Sequence, residues 1–499
     1  MSLPPLRVSL VLAIASLGCV RDPVPVGTSV DTRPIATVAV VSRLCTGEEL
    51  LEGVTGFTAR VNGTVVATGD RARVSQFRLD PVSAGTFTLT ALGVGGTPRA
   101  LGSAPIDVQR DDVSLTVIMR PLDRFFPLGS AAGKCAVLGT PRAAHQATQL
   151  FNGKVLVTGG YEETGADSSR HLYTAAAEAV DVASGTVSPA APLSDGPRAF
   201  HAAVPLVGGV LVMGGERSVA GAMEVTRSTL FYAPERDAWA RLGPYDNFSL
   251  GKPRSRAQIG VDPAGRVLLV GGYTSSDGHL VSEPSYEWFD GQTFWSGRAM
   301  IGGRVMGAMA HLSDTAFVFT GGTDGSRLLT SSASFNFTEV SSFYPEQLAP
   351  PSLTLGRTRS AFARIAPDRL VVAGGDEGQS PDGVTRPTAA IEVIRHGSAG
   401  PPLSSVLPEA VADACAVEVG GRVLVIGGER IDGIASARVI TLAVADDTLL
   451  IGESSPLAQA RTRHTCTLLR DGSVLVVGGV TRRGPTGALP SLELYLPAP

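Results

Sequence analysis

Arg461-Thr462-Arg463-His464-Thr465-Cys466-Thr467-Leu468-Leu469-Arg470-Asp471-Gly472-Ser473-Val474-Leu475-Val476-Val477-Gly478-Gly479 is the stretch that decides the fold. It reads as two short strands joined at Asp471-Gly472, a pair that tolerates the positive φ of a tight hairpin turn, and it ends in Gly-Gly. The unit recurs upstream. Pairs beginning at Gly159, Gly214, Gly271, Gly321, Gly374 and Gly427 precede the one at Gly478, about fifty residues apart. Each closes an apolar run such as Val155-Leu156-Val157-Thr158, Val267-Leu268-Leu269-Val270 or Val423-Leu424-Val425-Ile426. Strand-type sequence repeating at that period marks a radial or stacked array.

Alignment on the glycine pairs exposes the rest of the unit. An arginine opens six of the seven copies: Arg142, Arg198, Arg254, Arg304, Arg357 and Arg461, with Ala410 standing in the sixth copy. Three residues later come His145, His201, Ala257, Gly307, Ser360, Asp413 and His464. A third strand, often with glutamate, follows each glycine pair, as at Glu178, Glu287, Glu392 and Glu493. A fourth strand follows in most copies and carries Trp239 and Trp295 in the second and third. Four antiparallel strands per unit make a propeller blade, whereas solenoid units are usually shorter. The last copy stops at its third strand, Leu492–Leu496. The unpaired Lys134–Leu138 segment before Arg142 is therefore expected to complete it and close a ring.

With these residues in register, the stretch from Arg461 to Gly479 resembles a kelch repeat of the bacterial type, related to that of galactose oxidase. The resemblance covers residues 134–499. It implies an all-β, seven-bladed kelch propeller with its termini joined in one blade. In some kelch domains arginines at the motif position contact acidic peptides. The resemblance also brings two enzymes to mind, a copper radical oxidase and a six-bladed sugar mutarotase. The oxidase needs two tyrosines, two histidines and a cysteine cross-linked to one tyrosine, and no set among the eight tyrosines matches those ligands.

The region before the array divides further. Arg7 and the apolar Val8–Leu17 run suit a signal peptide over 1–18, and Ser16-Leu17-Gly18-Cys19 resembles a bacterial lipobox in which Cys19 is lipidated. An ordinary secretory signal is the alternative. Residues 19–33 read as a tether. Residues 34–120 alternate like strands, with turn signals at Asn62-Gly63 and Gly95-Gly96, and read as a small β-sandwich. Its Ser83–Leu89 stretch resembles part of an immunoglobulin-like module. Residues 121–133 read as a linker. No segment after the leader reaches the length of a membrane span.

Composition narrows function less than fold. The chain has 499 residues, 59 glycines, 34 prolines, 43% hydrophobic residues and a formal net charge of −4. Disorder is excluded by the hydrophobic content, and nothing in the charge favours a nucleic acid. Six arginines at one blade position suggest either an anion-binding collar or repeated structural bonds to carbonyls and to acids of a neighbouring blade. His145, His201 and His464 fall in consecutive blades once the ring closes; they suggest structural imidazoles more than a metal site. Cys415 and Cys466 align in an apolar column with Ala147, Ala203 and Ile259, which predicts buried free thiols; a disulfide needs Cα atoms within about 7 Å. Cys45 and Cys135 remain, and three pairings are open. The expectation is an exported, lipid-anchored monomer that binds a protein or carbohydrate without catalysis, cofactor or metal. It sits on the outer membrane or cell surface, with a periplasmic or secreted protein as the alternative. The loops after the glycine pairs, such as Tyr161–Arg170 and Asp376–Arg386, are the expected contacts.

Overall fold

A computed structural model describes residues 8–13, 37–70, 77–79, 85–106, 114–163, 171–240, 249–276, 279–299, 303–311, 316–336, 352–378, 386–395, 398, 401–482 and 487–499. Cys19 and the 19–33 tether lie outside the described residues, as do the central parts of the loops after Tyr161 and Asp376. The described chain is all β apart from one short 3-10 turn. It divides into two compact units: 1–136 with 182–186 and 495–499, and 137–181 with 187–494.

The first unit holds two sheets. One orders Phe77–Leu79, Val8–Ala13, Thr37–Val41 and Ser114–Ile118, with Thr37–Val41 parallel to both neighbours in that sheet. The other orders Thr64–Asp70, Gly56–Val61, Gly85–Leu92, Pro98–Ile106 and Arg120–Pro121. The expected turn at Asn62-Gly63 is present, with φ of 49° and 82°, and joins two antiparallel strands. Phe57, Ala59, Phe87, Leu89 and Val117 are fully buried. Val8–Ala13, within the expected leader, is a strand paired with Thr37–Val41. One expectation changes here. The supposed linker over 121–133 is packed: Leu122, Phe125, Phe126 and Leu128 are buried, because so apolar a run cannot stay in water without cost.

In the second unit one sheet follows another along the chain. Gln146–Gln149, Val155–Thr158, Ala177–Asp181 and Thr186–Ala190 form the first antiparallel sheet in that order. The same pattern recurs from Ala202–Leu206, Gln258–Val261, Ala361–Ala366 and Cys415–Val419. Ala308–His311, Ala316–Thr320 and Ser332–Asn336 make a three-stranded sheet among the described residues. Thr465–Leu468 and Val474–Val477 open the last sheet, which Leu492–Tyr495 continues. Second strands are buried along their whole length at Val155–Thr158, Val267–Val270 and Val474–Val477, and from the second residue on at Arg369–Ala373 and Arg422–Ile426. They are covered on both faces, which explains why their sequences are apolar runs rather than alternations. The core accordingly lies between successive sheets; Leu268, Val270 and Tyr286 of one pack on Met309, Phe317 and Phe319 of the next.

Among the described residues seven hydrogen bonds of one kind tie the sheets together. The second glycine of each pair donates to the carbonyl that opens the following sheet: Gly160 to Arg198, Gly215 to Arg254, Gly272 to Arg304, Gly322 to Arg357, Gly375 to Val411, Gly428 to Arg461 and Gly479 to Arg142, at 2.8–3.0 Å. The seventh returns from the last sheet to the first. Six of the seven first glycines, all but Gly321, have no room for a Cβ beside that same carbonyl. At Gly478 φ is +61° and a Cβ would sit 2.5 Å from the Arg142 carbonyl oxygen. The Lys134–Leu138 segment, expected as a fourth strand, forms none. Val137 makes an isolated bridge to Ser491, and Leu138 donates to the Pro490 carbonyl.

Candidate functional site

The six motif arginines are buried within their sheets. Arg142 donates to the Gly159 carbonyl at 3.0 Å and to the Ala176 carbonyl at 2.7 Å, and it pairs with Glu178. Arg254 pairs with Glu287 at 2.9 Å, Arg357 with Glu392 at 2.6 Å and Arg461 with Glu493 at 2.6 Å. Arg198 takes Asp195, and Arg304 the Ser331 hydroxyl and carbonyl. Burial pulls the guanidinium pKa down at Arg142, Arg198, Arg304, Arg357 and Arg461, and the paired acids oppose it in all but Arg304. None of the six lines the central cavity. Their glutamates, Glu178, Glu287, Glu392 and Glu493, belong to the third strand of the same sheet and not to a neighbouring one, so each pair ties the segment before the first strand to its own sheet.

The sixth copy needs a corrected register. Ala412 bridges Glu429 as Thr462 bridges Val480, and Val411 supplies the carbonyl that arginine supplies elsewhere. The copy is one residue short before its glycine pair, so Val411, not Ala410, holds the arginine position. Asp413 then falls in a different column from the histidines. That column consists of Ala144, Phe200, Arg256, Met306, Arg359, Asp413 and Arg463, all with φ between 50° and 55°. Left-handed backbone is unfavourable for such residues and here it repeats in every copy. Backbone hydrogen bonds link the column: Phe200 to Ala144, Arg256 to Phe200, Arg359 to Met306, Asp413 to Arg359 and Ala144 to Arg463, at 2.9–3.1 Å.

All seven of these residues line one cavity of about 850 Å³, together with the start of every first strand except Ala308–His311. Arg359 donates to Glu429 at 3.0 Å and to Asp376 at 3.3 Å, and also to Asp413. Arg463 reaches the Tyr161 hydroxyl at 2.5 Å and lies 3.5 Å from Asp413. Arg256 grips Glu216 at 2.9 Å and 3.3 Å and lies 3.9 Å over the Phe200 ring. Burial works against ionisation of Asp413, but Arg359, aided by Arg463 and Arg256, holds its carboxyl down at about 2. Tyr161, Glu216, Asp376 and Glu429 all directly follow a glycine pair. Two columns of unlike residues thus interlock at the cavity, and its cations are matched by carboxylates. Neutral groups complete the wall, among them Gln146, Gln258, Ser360 and Thr465. Such a surface offers both donors and acceptors, with an aromatic face at Phe200 and Tyr273, and suits an uncharged polar ligand.

His145, His201 and His464 also line the cavity, though each is largely buried. Their Nε2 atoms go to separate partners: His145 to the Thr465 hydroxyl at 3.0 Å, His201 to the Thr158 hydroxyl at 3.0 Å and His464 to Cys415 Sγ at 3.2 Å. Burial, reinforced by nearby arginines, pushes His201 and His464 down to about 3 and His145 well below its ordinary value. Among the described residues no group of three or more His, Cys, Asp or Glu side chains is placed to hold a metal ion.

The cysteines correct the expectation of free thiols. Cys415 and Cys466 form a disulfide with Cα atoms 6.1 Å apart, and Cys45 bonds Cys135. In the corrected register Cys415 pairs with Ile426 as Thr465 pairs with Val477, while Cys466 lies one residue further along. The two therefore do not share a column, and both reach the cavity.

Sequence reading picked out the histidines and the loops that begin at Tyr161 and Asp376, but missed the left-handed column and the part of Glu216 and Glu429. The column's signal was visible as variability beside constant positions: Phe200, Arg256, Asp413 and Arg463 sit two places beyond the residue that opens each copy. No family model and no curated protein matches the chain. Among solved structures, that of YjhT is similar over 63% of this chain and 99% of its own, at 16% identity and a TM-score of 0.47. At that level the comparison adds nothing to the chemistry of the site.

Proposed function

We propose that the chain is an exported lipoprotein, anchored at Cys19, whose seven-bladed kelch propeller stands beyond a small immunoglobulin-like sandwich and binds a protein or glycan without catalysis. The observation that carries the binding role is the cavity, where a repeated backbone presents unrepeated side chains. Propellers commit their strands to packing, so residues free to differ between blades are those left for recognition. Arg256, Arg359 and Arg463 are all engaged by the four carboxylates Glu216, Asp376, Asp413 and Glu429, which favours a neutral glycan over an acidic peptide. The burial of the motif arginines removes the support for an anion collar.

The alternative is a carbohydrate-active kelch enzyme using the same cavity. Its copper radical form is disfavoured because Cys45, Cys135, Cys415 and Cys466 are all in disulfides, leaving no described cysteine for a tyrosine cross-link. A glycan array probed with the full chain tests the proposal. Binding of neutral glycans that falls at least about tenfold in Arg463→Ala and Arg256→Ala supports it. Binding unaffected by both variants refutes the cavity as the site, and anomer exchange on a bound sugar replaces the binding role with the mutarotase alternative. Labelling with palmitate that persists in Cys19→Ala refutes the anchor.

A further inference from the structure

We propose that the Cys415–Cys466 bond is a reducible cross-link presented to the cavity, a site of thiol–disulfide exchange with small dithiols. This holds whether or not the cavity has another ligand. Three observations carry it. Both cysteines line the cavity and both are partly exposed. The bond joins the first strand of one sheet, Cys415–Val419, to that of the next, Thr465–Leu468, beside the cavity. Among the described residues one of the two sulfurs has a ring nitrogen in contact: His464 Nε2 stands 3.2 Å from Cys415 Sγ.

That asymmetry sets the direction of exchange. A thiolate entering the cavity attacks Cys466 Sγ, forming a reagent–Cys466 disulfide. The Cys415–Cys466 bond breaks, and its electron pair leaves on Cys415 Sγ. The departing thiolate keeps His464 as hydrogen-bond partner and takes its proton from water. The second thiolate of the dithiol then attacks the reagent's own sulfur in the mixed disulfide. It releases Cys466 as a thiolate, which is protonated in turn, and closes the reagent into a cyclic disulfide. The protein gains two electrons and two protons, and the dithiol loses them. A sulfur stabilised as a thiolate is the better leaving group, so attack is directed to Cys466. The neighbouring imidazole is neutral and acts through its hydrogen bond alone.

The test uses the full chain without denaturant. Dithiothreitol is added, thiols are trapped with iodoacetamide, and peptides containing Cys45, Cys135, Cys415 and Cys466 are weighed. Labelling of both Cys415 and Cys466 is expected in folded protein. Replacing the dithiol by 2-mercaptoethanol should leave its adduct on Cys466 in several-fold excess over Cys415. His464→Gln should slow reduction about five- to tenfold and weaken that preference. Labelling of the pair only after denaturation overturns the proposal, and so does an adduct shared equally between the two cysteines. The adduct position is read in unaltered protein, so the proposal stays exposed even if His464→Gln folds poorly.

Discussion

Acid should destabilise the second unit steeply, and the histidines set how steeply. His145, His201 and His464 are held neutral in the fold, with His201 and His464 pushed down to about 3. In the unfolded chain each takes up a proton near its ordinary value of 6.5. Below that pH the unfolded state binds protons that the folded state refuses, so stability falls as pH falls. One proton is worth about 1.4 kcal/mol per pH unit, and three give about 4 kcal/mol per unit between roughly pH 6 and pH 4. The assay is urea unfolding at a series of pH values, followed by fluorescence of Trp239, Trp288 and Trp295, the chain's three tryptophans, which all lie in this unit. His201→Gln should remove about a third of the slope, roughly 1.4 kcal/mol per unit. A slope of one proton or less, or one unchanged by His201→Gln, refutes the reasoning, because the imidazoles would then be charging inside the fold.

The buried pairs, the glycines and the disulfide give further expectations. Glu287→Gln leaves Arg254 buried beside an uncharged group and should cost about 3–5 kcal/mol, whereas Glu224→Gln, in the half-buried pair with Arg217, should cost under about 1 kcal/mol; urea midpoints measure both. Gly478→Ala places a Cβ 2.5 Å from the Arg142 carbonyl oxygen and should cost more than about 2 kcal/mol. Gly153→Ala, with φ +86° and no atom within 4 Å of the added carbon, should cost about 1 kcal/mol by the same measurement. Replacing Cys415 and Cys466 together by serine opens a loop with a separation of 51 residues, and the unfolded-chain entropy this restores is worth about 4 kcal/mol. Equal unfolding midpoints for the double variant and the parent would contradict that figure.

The fold was legible because the Gly-Gly pairs record a contact rather than a propensity. Every first glycine has positive φ, and in all copies but that of Gly321 a Cβ would meet the next sheet's carbonyl within 2.5 Å, so the residue type is held and the period survives in the sequence. The site was legible only in part. His145, His201 and His464 were found because they repeat, and so were the arginines, which repeat because they are structural. Phe200, Arg256, Asp413 and Arg463 share a backbone conformation that leaves no mark on residue type, since each occupies a left-handed position that glycine would take more easily. The shorter sixth copy shifted Asp413 and Cys415 by one place, and in a strand one place turns a side chain to the other face. That shift hid the disulfide. The region over 121–133 was read as a linker between two strand-rich stretches, while its Phe125, Phe126 and Leu128 are buried.

A crystal structure of the full chain tests the central claim most directly. The account predicts seven sheets about one axis, with the Gly479 amide on the Arg142 carbonyl and Arg256, Arg359, Asp413 and Arg463 facing a common cavity. Six or eight sheets, or a first and last sheet left apart in an open spiral, would contradict it.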